Sequence, residues 1–167
     1  LRDLRDMMIS RYFHIINEEN HWLNKKISKL NFKDGFIASL ISKPTTEEKN
    51  SLTYYYYWIL NWLKIAKEKN YLVLWYEDYK DDPLNYINKI LKFTSFPDFC
   101  AERILEKIQI KNSENLKNAL NKYSKLKSTF RKGEIQEWKK YFDEDINNAF
   151  NDNLPGKLEN ILHKKLK

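Results

Sequence analysis

Tyr71-Leu72-Val73-Leu74-Trp75-Tyr76 is apolar along its length instead of alternating, and it is rich in β-formers. That pattern predicts a strand covered on both faces, as in parallel sheets flanked by helices. A lone strand leaves its backbone groups unpaired, and no comparable run occurs elsewhere in the chain. Partner strands are therefore expected from upstream sequence or from another chain. Glu77-Asp78 follows at the strand's C-terminal end, where open α/β sheets place ligands. A structural role is expected for this acidic pair, and no metal.

Outward from that run the spacing is helical. Leu4, Met8, Ile15 and Ile16 mark a first helix over residues 4–17, with Asp3 as its cap and His14 as a polar neighbour on it. Trp22, Leu23, Ile27 and Leu30, then Phe36, Ile37, Leu40 and Ile41, make short helices with core stripes. Pro44-Thr45-Thr46-Glu47 reads as the start of a helix carrying Leu52, Tyr56, Ile59, Leu60, Trp62 and Leu63 and ending near Asn70. Asp81-Asp82-Pro83 opens the next helix, with Ile87, Ile90, Leu91 and Phe93 on its apolar face. Further helices are expected from Phe99 to Ile108, from Leu116 to Leu126 and after Asp143. The fold class expected is α/β, mostly helical with few parallel strands, in a single domain over residues 1–167.

The chain has 167 residues, 42% of them hydrophobic, enough for one sizeable core. Its net charge of +7 suits an anionic ligand, nucleic acid or an anionic surface alike. One cysteine, Cys100, excludes an internal disulfide and fits a reducing compartment. No run reaches the roughly 18 apolar residues of a membrane span, so a cytoplasmic location is expected.

Only five of the 30 cations are arginines, and Arg2, Arg5 and Arg131 fall in two short segments with a phosphate-site character. Arg131-Lys132-Gly133 sets a planar fork and a mobile point charge beside a glycine whose backbone can approach a ligand. Leu1-Arg2-Asp3-Leu4-Arg5-Asp6 opens a helix, whose free N–H groups and dipole favour anions. Ser10 lies two turns further along that helix.

Arg-x-x-Arg-Asp-x-x-x-Ser at the front, Tyr-Glu-Asp at residues 76–78 and Arg-Lys-Gly-x-x-x-x-Trp-Lys-x-x-Phe from Arg131 resemble, in order, the motifs of the cytosolic-type sulfotransferases. The resemblance implies a P-loop-like fold and transfer of a sulfuryl group from 3′-phosphoadenosine 5′-phosphosulfate (PAPS) to a hydroxyl or amine. It implies that Arg2 and Ser10 bind the 3′-phosphate, that Arg131, Lys132 and Gly133 close on it from the far side, and that Tyr76 lies near the adenine. Residues 111–117 resemble the stretch that contacts the base, with Ser113 where the family has an aromatic. Leu4 replaces a proline, and Gln136-Glu137 replaces Gly-Asp. The family's 5′-phosphosulfate loop and catalytic histidine lie upstream of Leu1, so no catalytic residue is assigned, and the domain is expected to lack that strand and loop.

A small-molecule acceptor is the partner the resemblance implies, without nucleic acid, membrane or metal. Two alternatives stand beside it. One is a basic nucleic-acid-binding module that uses the lysine-rich surface and exposed tyrosines. The other is a non-catalytic, nucleotide-binding remnant.

Overall fold

A computed structural model describes residues 1–43, 49–96, 100–109 and 133–162. The chain divides into two compact units, one comprising Leu1 and Leu72–Ser128, the other Arg2–Tyr71 and Thr129–Lys167.

The larger unit is built on α1 (Leu4–Asn17), which starts where Asp3 accepts the Arg5 backbone N–H at 2.8 Å. Leu4, Met8, Ile9, Tyr12 and Ile15 are buried along one stripe. The helix ends against a side chain from further along the chain: Asn24 Nδ2 donates to the Ile15 carbonyl at 2.8 Å and to that of Ile16 at 3.2 Å. Carbonyls left without an intrahelical partner are thus satisfied. Asn24 opens the one-turn α2 (Asn24–Ile27), and Asn31 caps α3 (Phe32–Ile41).

Gly35 allows α3 to come close. A Cβ there would stand 3.2 Å from the Ile27 carbonyl oxygen and 3.2 Å from the Tyr12 hydroxyl. Phe36 meets Tyr12 edge-on with ring centroids 5.8 Å apart, and Phe142 links Phe36 to Phe150 at 5.7 and 5.5 Å. Offset and edge-on pairs of this kind add to the burial that holds a core.

The long helix α4 (Ser51–Lys69) is capped by Asn50, whose side chain accepts the Thr53 N–H at 2.8 Å. Asn70 closes it in the left-handed conformation at φ 52°. The cap expected at Thr45 or Thr46 is therefore Asn50, and residues 44–48 lie outside those described. Leu52, Tyr56, Ile59 and Ala66 are buried, whereas Tyr54, Trp58, Trp62 and Ile65 face solvent. Trp62 thus leaves the expected core face, as do Trp22 and Leu30, which are 52% and 42% exposed.

In the other unit residues 72–75 belong to no helix, Trp75 is extended, and the expected strand is reduced to one backbone rung. The Leu1 nitrogen donates to the Leu74 carbonyl at 2.6 Å, and the Tyr76 N–H donates to the Leu1 carbonyl at 2.8 Å. Bonds from one residue to the neighbours on either side of Trp75 follow the parallel pattern. One rung makes no ladder, so the described residues contain no β-strand and are mostly helical, as expected, without the few parallel strands of the α/β class among them.

Tyr76 itself begins α5 (Tyr76–Asp81) instead of ending a strand. Asp82 then caps α6 (Pro83–Phe93), accepting the Asn85 N–H at 3.0 Å, with Pro83 in the first turn as expected. Helix α5 packs on α6 through Tyr79 and Tyr86, whose ring centroids lie 5.4 Å apart, and through Asp78 paired to Lys89 at 3.7 Å. That pair gives Asp78 the structural role expected of it. Residues 101–109 form α7, and the helix expected over Leu116–Leu126 lies outside the described residues.

A 3₁₀ turn over Glu137–Lys140 and α8 (Glu144–Asn153) complete the larger unit. Asp143 caps α8 by accepting the Ile146 N–H at 2.9 Å, and Ile146 and Phe150 bury its inner face. A second 3₁₀ turn, Leu158–Ile161, packs on α4. Among the described residues no helix is long and apolar enough to cross a membrane.

Candidate anion site at the start of the first helix

Two segments far apart in sequence meet in the larger unit at the N-terminus of α1. Arg2, just outside the helix, donates from Nη2 to the Glu134 carbonyl at 2.7 Å. The same nitrogen lies 3.8 Å from an Asp6 carboxylate oxygen, one helical turn along. Asp6 in turn accepts the Gln136 N–H on Oδ2 at 2.8 Å and the Trp138 N–H on Oδ1 at 2.9 Å. One buried carboxylate therefore joins the helix start to the backbone that follows Gly133.

Burial dominates the electrostatics of Asp6. Loss of water pushes its carboxyl above the ordinary range, and the neighbouring charge of Asp3 adds to the rise. The Trp138 N–H, Arg2 and the Gln136 N–H pull in the opposite direction. Because both oxygens accept from the backbone, the ionised form is the one the geometry suits.

Arg5 closes the inner side. Its guanidinium is held by Asp3, with Nε to Oδ1 at 3.0 Å and Nη2 to Oδ2 at 2.5 Å. Its guanidinium carbon lies over the Trp138 ring, 3.7 Å from the centroid, a cation–π contact. Arg5 and Asp6 are both buried, so this end of α1 is occupied by charges that satisfy one another.

Backbone conformation shapes the opposing segment. Gly133 has φ 63° and Gln136 has φ 56°, both in the left-handed region. Glycine enters that region freely, whereas an L-residue such as Gln136 is strained there. Gln136 also accepts a bond from Lys139 Nζ at 2.7 Å, and Lys140 pairs with Glu134.

Of the residues expected at the site, Arg2 and Gly133 belong to these two joined segments, and Ser10 is half-buried on α1. Arg131 and Lys132 lie outside the described residues, as do residues 111–117. Tyr76 belongs to the other unit, in the first turn of α5.

A sulfotransferase domain model matches residues 1–161. The chain belongs to the sulfotransferase domain family. It is 26% identical over 160 residues to sulfotransferase 1A1 of Bos taurus, covering 89% of this chain and 50% of that protein. It is 30% identical over 116 residues to sulfotransferase 1A1 of Canis lupus familiaris, covering 63% of this chain and 39% of that protein. The chain spans half the length of the first of these relatives and less of the second. No solved structure matches it at a significant level.

Within this sulfotransferase domain, sequence reasoning left Asp6 and Arg5 without a role, although both fall inside the front motif. One signal was available. Asp3 already caps α1, so a second acid in the first turn, four residues after Arg2, has a separate use. The departure from Gly to Gln at position 136 also acquires a physical meaning, since that position takes a positive φ.

Proposed function

We propose that this chain supplies the 3′-phosphate-binding part of a sulfotransferase that moves a sulfuryl group from PAPS to a hydroxyl or amine of a small molecule. Its ligands on this reading are Arg2, Ser10, Arg131, Lys132 and Gly133, with Tyr76 assigned to the adenine from its motif alone. The observation that carries the reading is the junction at α1. Arg2 is tied to the Glu134 carbonyl, one residue after the positive-φ Gly133, so the start of α1 and the segment after Gly133 come together through hydrogen bonds, as the reading requires.

The donor set fits a phosphate. A guanidinium gives a bidentate fork, and a glycine backbone gives a close N–H. PAPS supplies the sulfuryl group and the leaving phosphate, and these residues bind and orient its nucleoside end. Positioning of this kind is a large part of catalysis in group transfer. No residue here is assigned to the chemical step.

Calorimetric titration with adenosine 3′,5′-bisphosphate beside adenosine 5′-monophosphate, at two salt concentrations, tests the reading. Preference for the bisphosphate is expected, and Arg131→Ala should weaken its binding by about 1.5 to 3 kcal/mol, the worth of a hydrogen bond to a charged group. Steep salt dependence with no preference between the two nucleotides would instead favour the nucleic-acid module.

A further inference from the structure

Asp6 touches both sides of the candidate site without being one of its proposed ligands. It lies 1% exposed between the α1 start and the segment after Gly133. Each of its oxygens is matched to a different backbone N–H, those of Gln136 and Trp138, and the oxygen bonded to Gln136 also faces the Arg2 guanidinium. The two N–H groups bracket Glu137, in the turn where Gln136 holds a left-handed backbone. Both the Asp6 charge and the Glu134 carbonyl hold Arg2, and Glu134 lies in the same segment that Asp6 holds.

Such a pattern does more than neutralise a buried charge. An amide nitrogen in place of either oxygen would set a donor against a donor. A shift of the segment would carry the Glu134 carbonyl away and turn the guanidinium with it. We propose that Asp6 is a positioning residue, whose carboxylate fixes both the direction of the Arg2 guanidinium and the path of the backbone leaving Gly133, and so sets the affinity for the 3′-phosphate. The inference rests on the bisphosphate reading given above.

The test uses the full chain and two ligands, adenosine 3′,5′-bisphosphate and adenosine 5′-monophosphate, in calorimetric titration. Asp6→Asn is expected to weaken the bisphosphate tenfold or more while changing the monophosphate by less than twofold. Combined with Arg2→Ala, it should cost less than the sum of the two separate losses, since the Arg2 contact to the phosphate is counted in both. Should Asp6→Asn fail to fold by circular dichroism, Asp6→Glu serves the same test. It keeps the charge and both acceptors on an arm one methylene longer, and is expected to fold and to lose selectivity in part.

A folded variant with the wild-type preference would overturn the inference. So would equal losses for both nucleotides, or full additivity with Arg2→Ala, since either marks Asp6 as merely structural. If the wild-type chain itself shows no preference for the bisphosphate, the bisphosphate reading falls and this inference with it. A selective wild type with an unaffected Asp6→Asn sinks the inference alone.

Discussion

Asp6 and Lys33 both tie the segment after Gly133 to the helices of the larger unit, one from the interior and the other from the surface. Asp6 accepts two backbone N–H groups and is almost completely buried. Lys33, at the start of α3, reaches Asp143 at 2.8 Å and Asp145 at 2.5 Å at the start of α8, and its side chain is 41% exposed. The distances are alike, yet water decides what each contact is worth. Around Lys33 solvent competes for every partner and salt screens the charges. Around Asp6 no water replaces a lost acceptor, so its removal leaves backbone donors with no alternative.

Replacing Asp6 by alanine is therefore expected to have the largest effect, a loss of about 2 to 4 kcal/mol from two orphaned N–H groups and the missing charge opposite Arg2. Urea denaturation measures it, and a loss below the scatter of ordinary surface substitutions would remove the contrast between the two ties.

Gln136→Gly tests the backbone beside Asp6. Relief of the left-handed strain outweighs the extra entropy of an unfolded glycine, and a net gain of about 0.5 to 1 kcal/mol is expected. A destabilised variant would mean that the Gln136 side chain contributes more than its conformation costs.

The two regions should also answer pH with opposite signs. The Asp6 carboxyl lies above its ordinary range, chiefly through burial, so the folded chain holds that proton more tightly than the unfolded chain does. Stability from this group therefore falls as pH rises from the ordinary carboxylate value through the raised one. Asp143 lies below its ordinary range, chiefly through its hydrogen bond to Lys33, so its contribution is present above that range and lost as pH falls through the lowered value. Denaturation midpoints for wild type, Asp6→Asn and Asp143→Asn over about pH 3 to 6 separate the two slopes.

Lys33→Ala closes the series with the smallest expected effect, a slight drop in melting temperature that vanishes at high salt. Persistence of that drop in 1 M salt, where the screening length is about 3 Å, would show the surface tie to be better shielded than its exposure implies.

Local signals were legible where chemistry is local. Asp3, Asp82 and Asp143 were readable as helix caps because a short acidic side chain satisfies N–H groups two or three residues ahead. The first helix and its buried Leu4, Met8 and Ile15 followed from period alone. The start of α4 was misplaced because threonine and asparagine compete as caps, and only the folded backbone shows that Asn50 takes the position. Trp22, Leu30 and Trp62 satisfy helical spacing and yet face solvent, since spacing does not say whether a neighbour exists to cover a residue.

The strand read at residues 71–76 shows the same limit from the other side. Its run stays outside any helix up to Trp75, but hydrogen bonds across a sheet belong to two segments, and Leu1 supplies a single rung.

By itself, then, the sequence determined most of the described helices, several of their caps and the two basic motifs, all properties of residues within a few turns of one another, and through the order of those motifs the family. Tertiary structure decided that Arg2 meets Glu134 and that Asp6 receives the backbone of Gln136 and Trp138. Those contacts join residues about 130 positions apart. Their strength comes from the exclusion of water, which exists only once the chain has closed around them.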